Sequence, residues 1–364
     1  MALTTLPTAA FATGSVGTSQ LADGAVTTEK LVADVNFRNL IINGDMSIAQ
    51  RSTSTSSYSG ISYSTVDRFK TVFEYGTYTV SQESLSSGAA YNAGFRTAFK
   101  ALVTSTASPG AAGEQVTFEQ RIEGLMCQAL KKGTSNAESL TLSFWVRSSK
   151  TGTNLQVNLR DNDNDRIIGA TYDINTANTW EKKTFTFAGD TSGALDNDNG
   201  QSLILEWWLD GGSNYSGGSV PTSWQARNNT DRNVTNFDLA GGTDDWWITG
   251  VQLEVGTSAS NFEFLPYDVN LQRCQRYFEF AEGGYQGPVY GTATDMRVSV
   301  PFKVTKRANP TLTKISGNEN CCSSVTVVVA SIDETLGARV QGTNVFSAGA
   351  GKYWNVKFSA DSEL

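Results

Sequence analysis

Hydrophobic and polar residues alternate along the chain in short stretches separated by residues typical of turns. The clearest of these stretches are residues 116–124, 140–149, 154–161, 179–189, 202–212 and 246–256. An alternation of period two is typical of a β-strand with one buried face, and it places Leu142, Phe144 and Val146 in a core. No helical pattern of comparable strength is present, so we predict a mainly β chain that forms an antiparallel sandwich. The length and order of the strands favour a jelly roll.

The last two stretches predict which tryptophans are buried. In SLILEWWLDGG, Trp207 shares a face with leucines, whereas Trp208 lies on the opposite face beside acidic residues. In WWITGVQLEVG, strict alternation places Trp247 with Val251 on the buried face and Trp246 on the other. Sugar recognition uses aromatic rings beside carboxylates and amides. We therefore predict that Trp208 and Trp246 face outward and contact a glycan. The alternative is that a loop, the next domain or a neighbouring protomer covers them.

A long polar loop between these two strands is a second candidate for receptor contact. It spans residues 211–240, is rich in Gly and Asn, and contains Tyr215, Trp224 and Arg227. Loops of this length in a compact domain are typically functional or disordered. We take these three side chains as further binding candidates, with plain surface decoration as the alternative.

The run DNDND places Asp161, Asp163 and Asp165 at the spacing with which a calcium-binding loop begins. Arg166 stands where such a loop needs glycine, and Tyr172 stands where it needs a bidentate glutamate, so the EF-hand interpretation is rejected. A looser structural Ca²⁺ site at the three aspartates remains open, and we expect no other cofactor. The alternative is a hairpin turn rich in Asn and Asp.

Composition excludes several classes of function. The chain of 364 residues has a formal charge of −8, so no basic patch is available for a nucleic-acid partner. It has no histidine, which removes Ser-His-Asp and Cys-His catalysis and imidazole-bound zinc. Its four cysteines show no C-x-x-C spacing and are expected to be free thiols. Since no specific carboxylates are paired in the sequence, we do not expect an enzyme.

The first 38 residues contain a ten-residue repeat, GSVGTSQLAD followed by GAVTTEKLVAD. A unit with so few apolar positions cannot bury them within one chain. We therefore predict that residues 1–38 are extended and dock on another protein, with a flexible polar tail as the alternative. The apolar side chains of this docking series are Leu6, Phe11, Val16, Leu21, Val26 and Leu31.

The beginning of the chain shows no basic region and no sustained apolar run of the kind found in a secretory signal. No apolar run in the sequence is long enough to span a bilayer. We therefore expect synthesis in a cytoplasm and no membrane insertion.

WWITGVQLEVG, followed by Phe262, Pro266, Tyr267 and LQRCQRYFE at 271–279, resembles a family of bacteriophage tail-fibre and virion structural proteins. Other segments resemble the same family. They are the N-terminal repeat, NLIINGDM at 39–46 and MRVSVPFKVTKRANPTLT at 296–313. The run of strands also resembles carbohydrate-binding jelly-roll modules attached to glycoside hydrolases, a resemblance of fold that does not fix function.

The resemblance implies three parts: an attachment segment at 1–38, a jelly-roll sandwich at 39–268 and a smaller C-terminal β domain at 269–364. It implies a homotrimeric tail fibre, made in the host cytoplasm and carried on the virion. Residues 1–38 would dock on the tail, the baseplate or another virion protein, and the β domains would recognise a host-surface glycan. Two alternatives remain open: a capsid or tail decoration protein without receptor binding, and a glycan-degrading tail spike.

Overall fold

The computed structural model describes residues 37–107, 111–289, 293–319, 324–329, 336–346 and 349–364. The docking series from Leu6 to Leu31 lies outside these residues, so its role stays a prediction. A compact unit runs from Asn39 to Leu364.

The described chain up to Val255 contains eleven β-strands. The strands are β1 (Ser54–Ser62), β2 (Phe69–Ser84), β3 (Thr97–Ser105), β4 (Gln115–Glu123), β5 (Leu140–Ser148), β6 (Gly152–Asp161), β7 (Arg166–Ile174), β8 (Glu181–Phe187), β9 (Gln201–Gly211), β10 (Gln225–Ala226) and β11 (Asp245–Val255). A short helix, α1 (Ala89–Asn92), precedes β3. The prediction of a mainly β fold is confirmed.

The strands form one curled antiparallel sheet in the order β10-β7-β6-β9-β4-β2-β3-β11-β5-β8, with β1 paired to β2. Strand β2 changes partners along its length. Residues 69–73 pair with β4, and residues 77–84 pair with β3. Gly76 lies between the two parts with φ +75°, a conformation that favours glycine. We call the strands on the β4 side the first half-sheet and those on the β3 side the second half-sheet.

The core lies between the two half-sheets. Phe118 of the first half-sheet lies 5.7 Å from Trp246 of the second, measured between ring centroids. Phe144 of the second half-sheet lies 5.6 Å from Trp207 and 5.4 Å from Tyr172 of the first. These contacts across the layers are those of a jelly-roll sandwich, as the alternation in the sequence predicted.

Strand β11 contains a β-bulge that changes which tryptophan is buried. Gly250 has φ +64°, and the pairing of β11 with β5 shifts register beside it. A bulge inserts one extra residue, so the side-chain alternation before it and after it is out of phase. Both Trp246 before the bulge and Val251 after it belong to the core. The prediction that Trp246 faces outward is therefore wrong: its side chain is 0% exposed, and Trp247 lies on the outer face.

The chain after the sandwich begins with helix α2 (Tyr267–Gln275) and continues as two three-stranded antiparallel sheets. One has the order β12-β17-β14 and the other β13-β16-β15. Gly283 lies so close to Val300 of the other sheet that a Cβ atom would approach it to 2.2 Å, so the two sheets pack against each other. The strands are β12 (Phe278–Val289), β13 (Ala293–Pro301), β14 (Thr311–Glu319), β15 (Ser324–Val329), β16 (Gly337–Phe346) and β17 (Gly349–Asp361).

Cys127 and Cys274 are buried free thiols, as expected from their spacing. Burial raises the pKa of Cys127 to about 12, so its thiol stays protonated near neutral pH. Within the described residues, no helix is both long and apolar enough to cross a membrane.

Candidate functional site

Trp208 lies on the outer face of β9, but the loop at 211–240 covers it. Its side chain is 0% exposed. The Tyr215 ring lies 4.8 Å from the Trp208 ring, and the guanidinium of Arg232 lies 4.9 Å from it. The prediction that Trp208 faces solvent is therefore wrong. Alternation separates the two faces of a strand, but it does not indicate that a distant loop packs on the second face.

Glu206 lies beside Trp208 in a buried charge network. One of its oxygens is 2.8 Å from Nη2 of Arg232 and 2.9 Å from Nε of Arg160, and Trp208 Nε1 donates to the other at 3.0 Å. Burial alone would raise the pKa of Glu206, but the two guanidinium groups lower it to about 2. Glu206 is therefore ionised and anchors the covering loop through Arg232.

A second carboxylate lies across from Glu206 on β4. Glu119 is its register partner, so the fold pairs two carboxylates that the sequence alone did not pair. Glu119 accepts hydrogen bonds from the Thr117 hydroxyl at 3.1 Å and from Arg121 at 3.3 Å, and it is 2% exposed. Both carboxylates are thus occupied by internal donors. An ionised, saturated Glu206 is poorly suited to act as a general acid.

The three predicted loop candidates contact different parts of the protein. Tyr215 packs on Trp208, and its hydroxyl donates to the Gly113 carbonyl at 3.0 Å. Trp224 is half-buried and donates from Nε1 to the Ala188 carbonyl at 2.8 Å. Arg227 forms an ion pair at 2.5 Å with Asp165. These contacts hold the loop against β9, the β6–β7 turn and the segment after β8, and the assignment of the three residues to receptor binding stays a prediction.

The side chains of the three aspartates predicted as a calcium site contact different partners. Asp161 lies 2.5 Å from the ammonium of Lys132, Asp163 accepts from a backbone N–H, and Asp165 pairs with Arg227. Within the described part of the chain, no group of three His, Cys, Asp or Glu side chains could hold a metal ion. Residues 161–166 form the hairpin turn between β6 and β7 that was the alternative interpretation.

The outer face of the second half-sheet brings together aromatic side chains that the sequence analysis did not select. Trp145 of β5, Trp247 of β11 and Trp180, just before β8, belong to one hydrophobic cluster on this face. We call these three residues the tryptophan surface. They are three of the eight tryptophans in the chain. Trp145 and Trp247 are half-buried, so part of each ring remains accessible.

Register explains how the tryptophan surface is assembled. Trp247 lies directly opposite Arg147 on one neighbouring strand and Lys100 on the other. The guanidinium of Arg147 is 4.9 Å from the Trp247 ring, and the ammonium of Lys100 is 4.7 Å from it. The Trp180 and Trp247 rings meet edge to face at 6.3 Å. Side chains directly opposite each other share a face, so rings and cations alternate across the strands.

A cluster of phenylalanines borders the tryptophan surface. The Phe95 ring lies 4.9 Å from Phe262 and 5.2 Å from Phe264, and Phe264 is 51% exposed. Phe95 and Phe262 belong to the same hydrophobic cluster as the three tryptophans. The surface therefore presents flat apolar rings, rimmed by hydrogen-bond donors, on an open sheet face. Such rings pack against the apolar C–H groups of a saccharide while polar groups contact its hydroxyls.

Part of this surface could have been found in the sequence. The alternation that correctly placed Phe144 in the core also places Trp145 and Arg147 on the opposite face. Trp247 was hidden by the bulge at Gly250. Trp180 lies just before β8, but it belongs to the alternating stretch 179–189, in which the inward positions of Phe185 and Phe187 place it on the opposite face.

Comparison with known proteins gives distant structural likenesses only. Neither a protein-family model nor a curated protein matches the chain. The enzymatically active domain of bacteriophage CBA120 tailspike protein 4 is 14% identical with a TM-score of 0.31, covering 60% of this chain and 22% of that one.

Two carbohydrate-binding domains give similar values. The CBM22-1 xylan-binding domain of Paenibacillus barcinonensis Xyn10C is 12% identical with a TM-score of 0.27, covering 57% of this chain and 94% of that one. TmCBM61 in complex with β-1,4-galactotriose is 9% identical with a TM-score of 0.28, covering 60% and 99%. Likenesses this distant do not indicate a ligand.

Proposed function

We propose that the chain is a bacteriophage tail-fibre protein that binds a glycan on the host surface through the tryptophan surface. In this proposal three copies assemble, residues 1–38 attach them to the tail, baseplate or another virion protein, and the β domains project outward. The resemblance of WWITGVQLEVG and the following segments to the fibre family supports the fibre role. Three linked copies would turn weak single-site contacts into firm adsorption.

The observation that carries glycan binding is the partial exposure of Trp145 and Trp247 on a sheet face that no other layer covers completely. By contrast, Trp207, Trp208 and Trp246 are 0% exposed. Large apolar rings that remain accessible beside charged groups are costly to leave in water and typically mark a contact surface.

We also propose that binding proceeds without cleavage of the glycan. Hydrolysis by paired carboxylates needs one protonated and one ionised group on either side of the bond. Glu119 and Glu206 are the register partners that come nearest to such a pair, and both are buried among arginines. The proposed fibre therefore holds its receptor and leaves it intact.

An array of bacterial capsular and lipopolysaccharide glycans tests this proposal with the full chain. Trp145→Ala and Trp247→Ala should each weaken binding at least about tenfold, the effect expected when a central aromatic contact is removed. Trp224→Ala is the matched control, since Trp224 is also a half-buried indole but lies in the loop on the first half-sheet. Circular dichroism and thermal unfolding check that each variant is folded.

The other possible outcomes would point to a different site or a different function. Loss of binding in Trp224→Ala alone would move the site to the loop at 211–240. Release of reducing sugar from a bound polysaccharide would indicate a glycan-degrading tail spike. If the wild-type protein binds no glycan and no bacterial cell surface, receptor binding is excluded and only a structural role on the virion remains.

A further inference from the structure

Positively charged side chains lie beside the tryptophan surface although the chain as a whole is acidic, with a formal charge of −8. The guanidinium of Arg147 lies 4.9 Å from the Trp247 ring, and the ammonium of Lys100 lies 4.7 Å from it. Lys182 lies directly opposite Trp145 in the pairing of β8 with β5, so it shares the outer face. Local charge of the opposite sign to the net charge calls for a physical reason.

Carboxylates on the neighbouring elements do not neutralise all of these cations. Asp245 lies 3.6 Å from Lys100, Glu83 accepts from the Ser81 hydroxyl at 2.7 Å, and Glu181 pairs with Lys183 at 2.7 Å. Asp245 and Glu181 therefore each pair with a lysine, whereas Glu83 is held by a hydroxyl group and forms no ion pair with Arg147 or Lys182 among the described residues. Arg147 and Lys182 have no carboxylate within ion-pair distance in the described part of the chain.

Arg147 is also oriented for a ligand. Its guanidinium hydrogen-bonds at Nη2 to the exposed side chain of Asn178 at 3.3 Å, an uncharged acceptor. Its stacking on Trp247 fixes the plane of the group. A guanidinium held in this way presents a planar pair of donors that matches a carboxylate or a phosphate.

We infer that the ligand of the tryptophan surface is an acidic glycan, a saccharide that bears carboxylate or phosphate groups. The inference rests on the proposed glycan-binding function and adds the chemical class of the ligand. The sugar ring packs on Trp145 and Trp247, and the anionic group is bound by Arg147 and Lys182. A neutral saccharide would contact the rings but leave both cations without a counter-charge.

Chemically matched polysaccharides separate this inference from the proposed function. Each bacterial polysaccharide is printed in its native form, after carboxyl reduction and after dephosphorylation, with single-stranded DNA on the same array. We expect native acidic polymers to bind at least about tenfold more tightly than the form that has lost its anion. The carboxyl-reduced and dephosphorylated forms distinguish the two sources of charge. Added NaCl should weaken binding of the native form only.

Arg147→Gln and Lys182→Gln should each lose about tenfold in affinity for the native polymer and clearly less for the neutral form, which has no anionic group to bind. Lys182 is exposed and has no ion-pair partner among the described residues, so its variant is expected to fold even if the Arg147 variant does not. Lys131→Gln is the matched control for Lys182→Gln, because Lys131 is an exposed lysine on another part of the surface.

Equal binding of native and neutral forms, still abolished by Trp145→Ala, would overturn the acidic-glycan inference and leave glycan binding intact. Binding of DNA in place of polysaccharide would overturn both. So would failure of the wild-type protein to bind any polymer.

Discussion

Glu206 shows how one residue ties a surface loop to the sheet beneath it. Removing a carboxylate from water is costly, and the cost is offset here by Arg160, Arg232, Trp208 and a hydrogen bond from Asn158 at 3.0 Å. Because Arg232 belongs to the loop and Arg160 to β6, the network links two segments distant in sequence. Its function in the molecule is to keep the loop closed over β9.

We expect Glu206→Gln to lower the free energy of unfolding by about 3 kcal/mol, since it leaves two buried guanidinium groups without their counter-charge. Glu138→Gln is the control: Glu138 pairs with Lys131 at 2.6 Å on the surface, where such pairs contribute roughly 0–1 kcal/mol. Urea unfolding measures both variants. Equal effects would show that the Glu206 network contributes no more than a surface ion pair.

The same carboxylate predicts a pH dependence. The pKa of Glu206 is about 2 in the folded chain, whereas an ordinary glutamate has a pKa of 4.5. Between these two pH values the unfolded chain therefore binds a proton that the folded chain does not. Stability from Glu206 is therefore complete above pH 4.5 and is lost as the pH falls towards 2. Stability of Glu206→Gln should fall less steeply over this range when urea unfolding is repeated at each pH.

At the scale of the element, alternation in the sequence predicts the side-chain orientation correctly in β5 but not in β11. In β5 strict alternation holds, and Phe144 faces the core as predicted. In β11 the bulge at Gly250 exchanges the two faces, so Trp246 and Trp247 were predicted the wrong way round. The bulge depends on pairing with β5 and on the packing of Phe95, both distant in sequence. The one local signal is Gly250 itself, since a glycine inside a strand often marks a bulge.

Gly250→Ala tests the bulge. A Cβ atom at Gly250 would lie 2.5 Å from the Phe95 ring, and its φ of +64° is unfavourable for alanine. We expect a loss of about 3 kcal/mol, the sum of a backbone cost of about 1 and an overpacking cost of about 2. Gly217→Ala is the matched control, since φ is +89° and no atom lies within 4 Å of the added Cβ. It should lose only the backbone part in urea unfolding.

If the two alanine variants lose equal stability, steric contact with Phe95 does not determine the bulge. Because Phe95 packs beside the tryptophan surface, Gly250→Ala should also weaken glycan binding, whereas Gly217→Ala should not.

At the scale of the whole molecule, the sequence predicted two β regions but not how they join. The described contacts at the junction include a hydrophobic cluster around Tyr277 and several pairs of charged groups. Arg276 of the segment after α2 pairs with Glu123 of the sandwich at 2.7 Å, and Arg51 pairs with Asp361 at 3.0 Å. Such long-range pairs follow from topology, so neither partner carries a local signal in the sequence. Whether 39–268 and 269–364 behave as separate domains stays a prediction.

Arg68 lies at the centre of this junction. It is 1% exposed, pairs with Glu363 and donates to the Arg121 carbonyl at 2.7 Å. Its guanidinium also stacks on Tyr277 at 3.3 Å from the ring centroid. One side chain from the sandwich thus binds both Glu363, which follows β17, and Tyr277, which lies between α2 and β12. A charge held in this way couples the two regions, because separating them would leave Arg68 and Glu363 unpaired.

We expect the region from Asn39 to Leu364 to unfold in a single calorimetric transition, and Arg68→Ala to divide it into two. The variant should also lose about 3 kcal/mol, because the buried Glu363 loses Arg68 and keeps only Arg51, at 3.4 Å, as a counter-charge. Arg96→Ala is the matched control: Arg96 stacks on Tyr91 at 4.0 Å but is exposed, so the single transition should persist. Differential scanning calorimetry distinguishes these results.

A single transition in Arg68→Ala, shifted no more than in Arg96→Ala, would show that the charged junction does not couple the two β regions. The apolar contacts around Tyr277 would then be the contacts that hold the two β regions together.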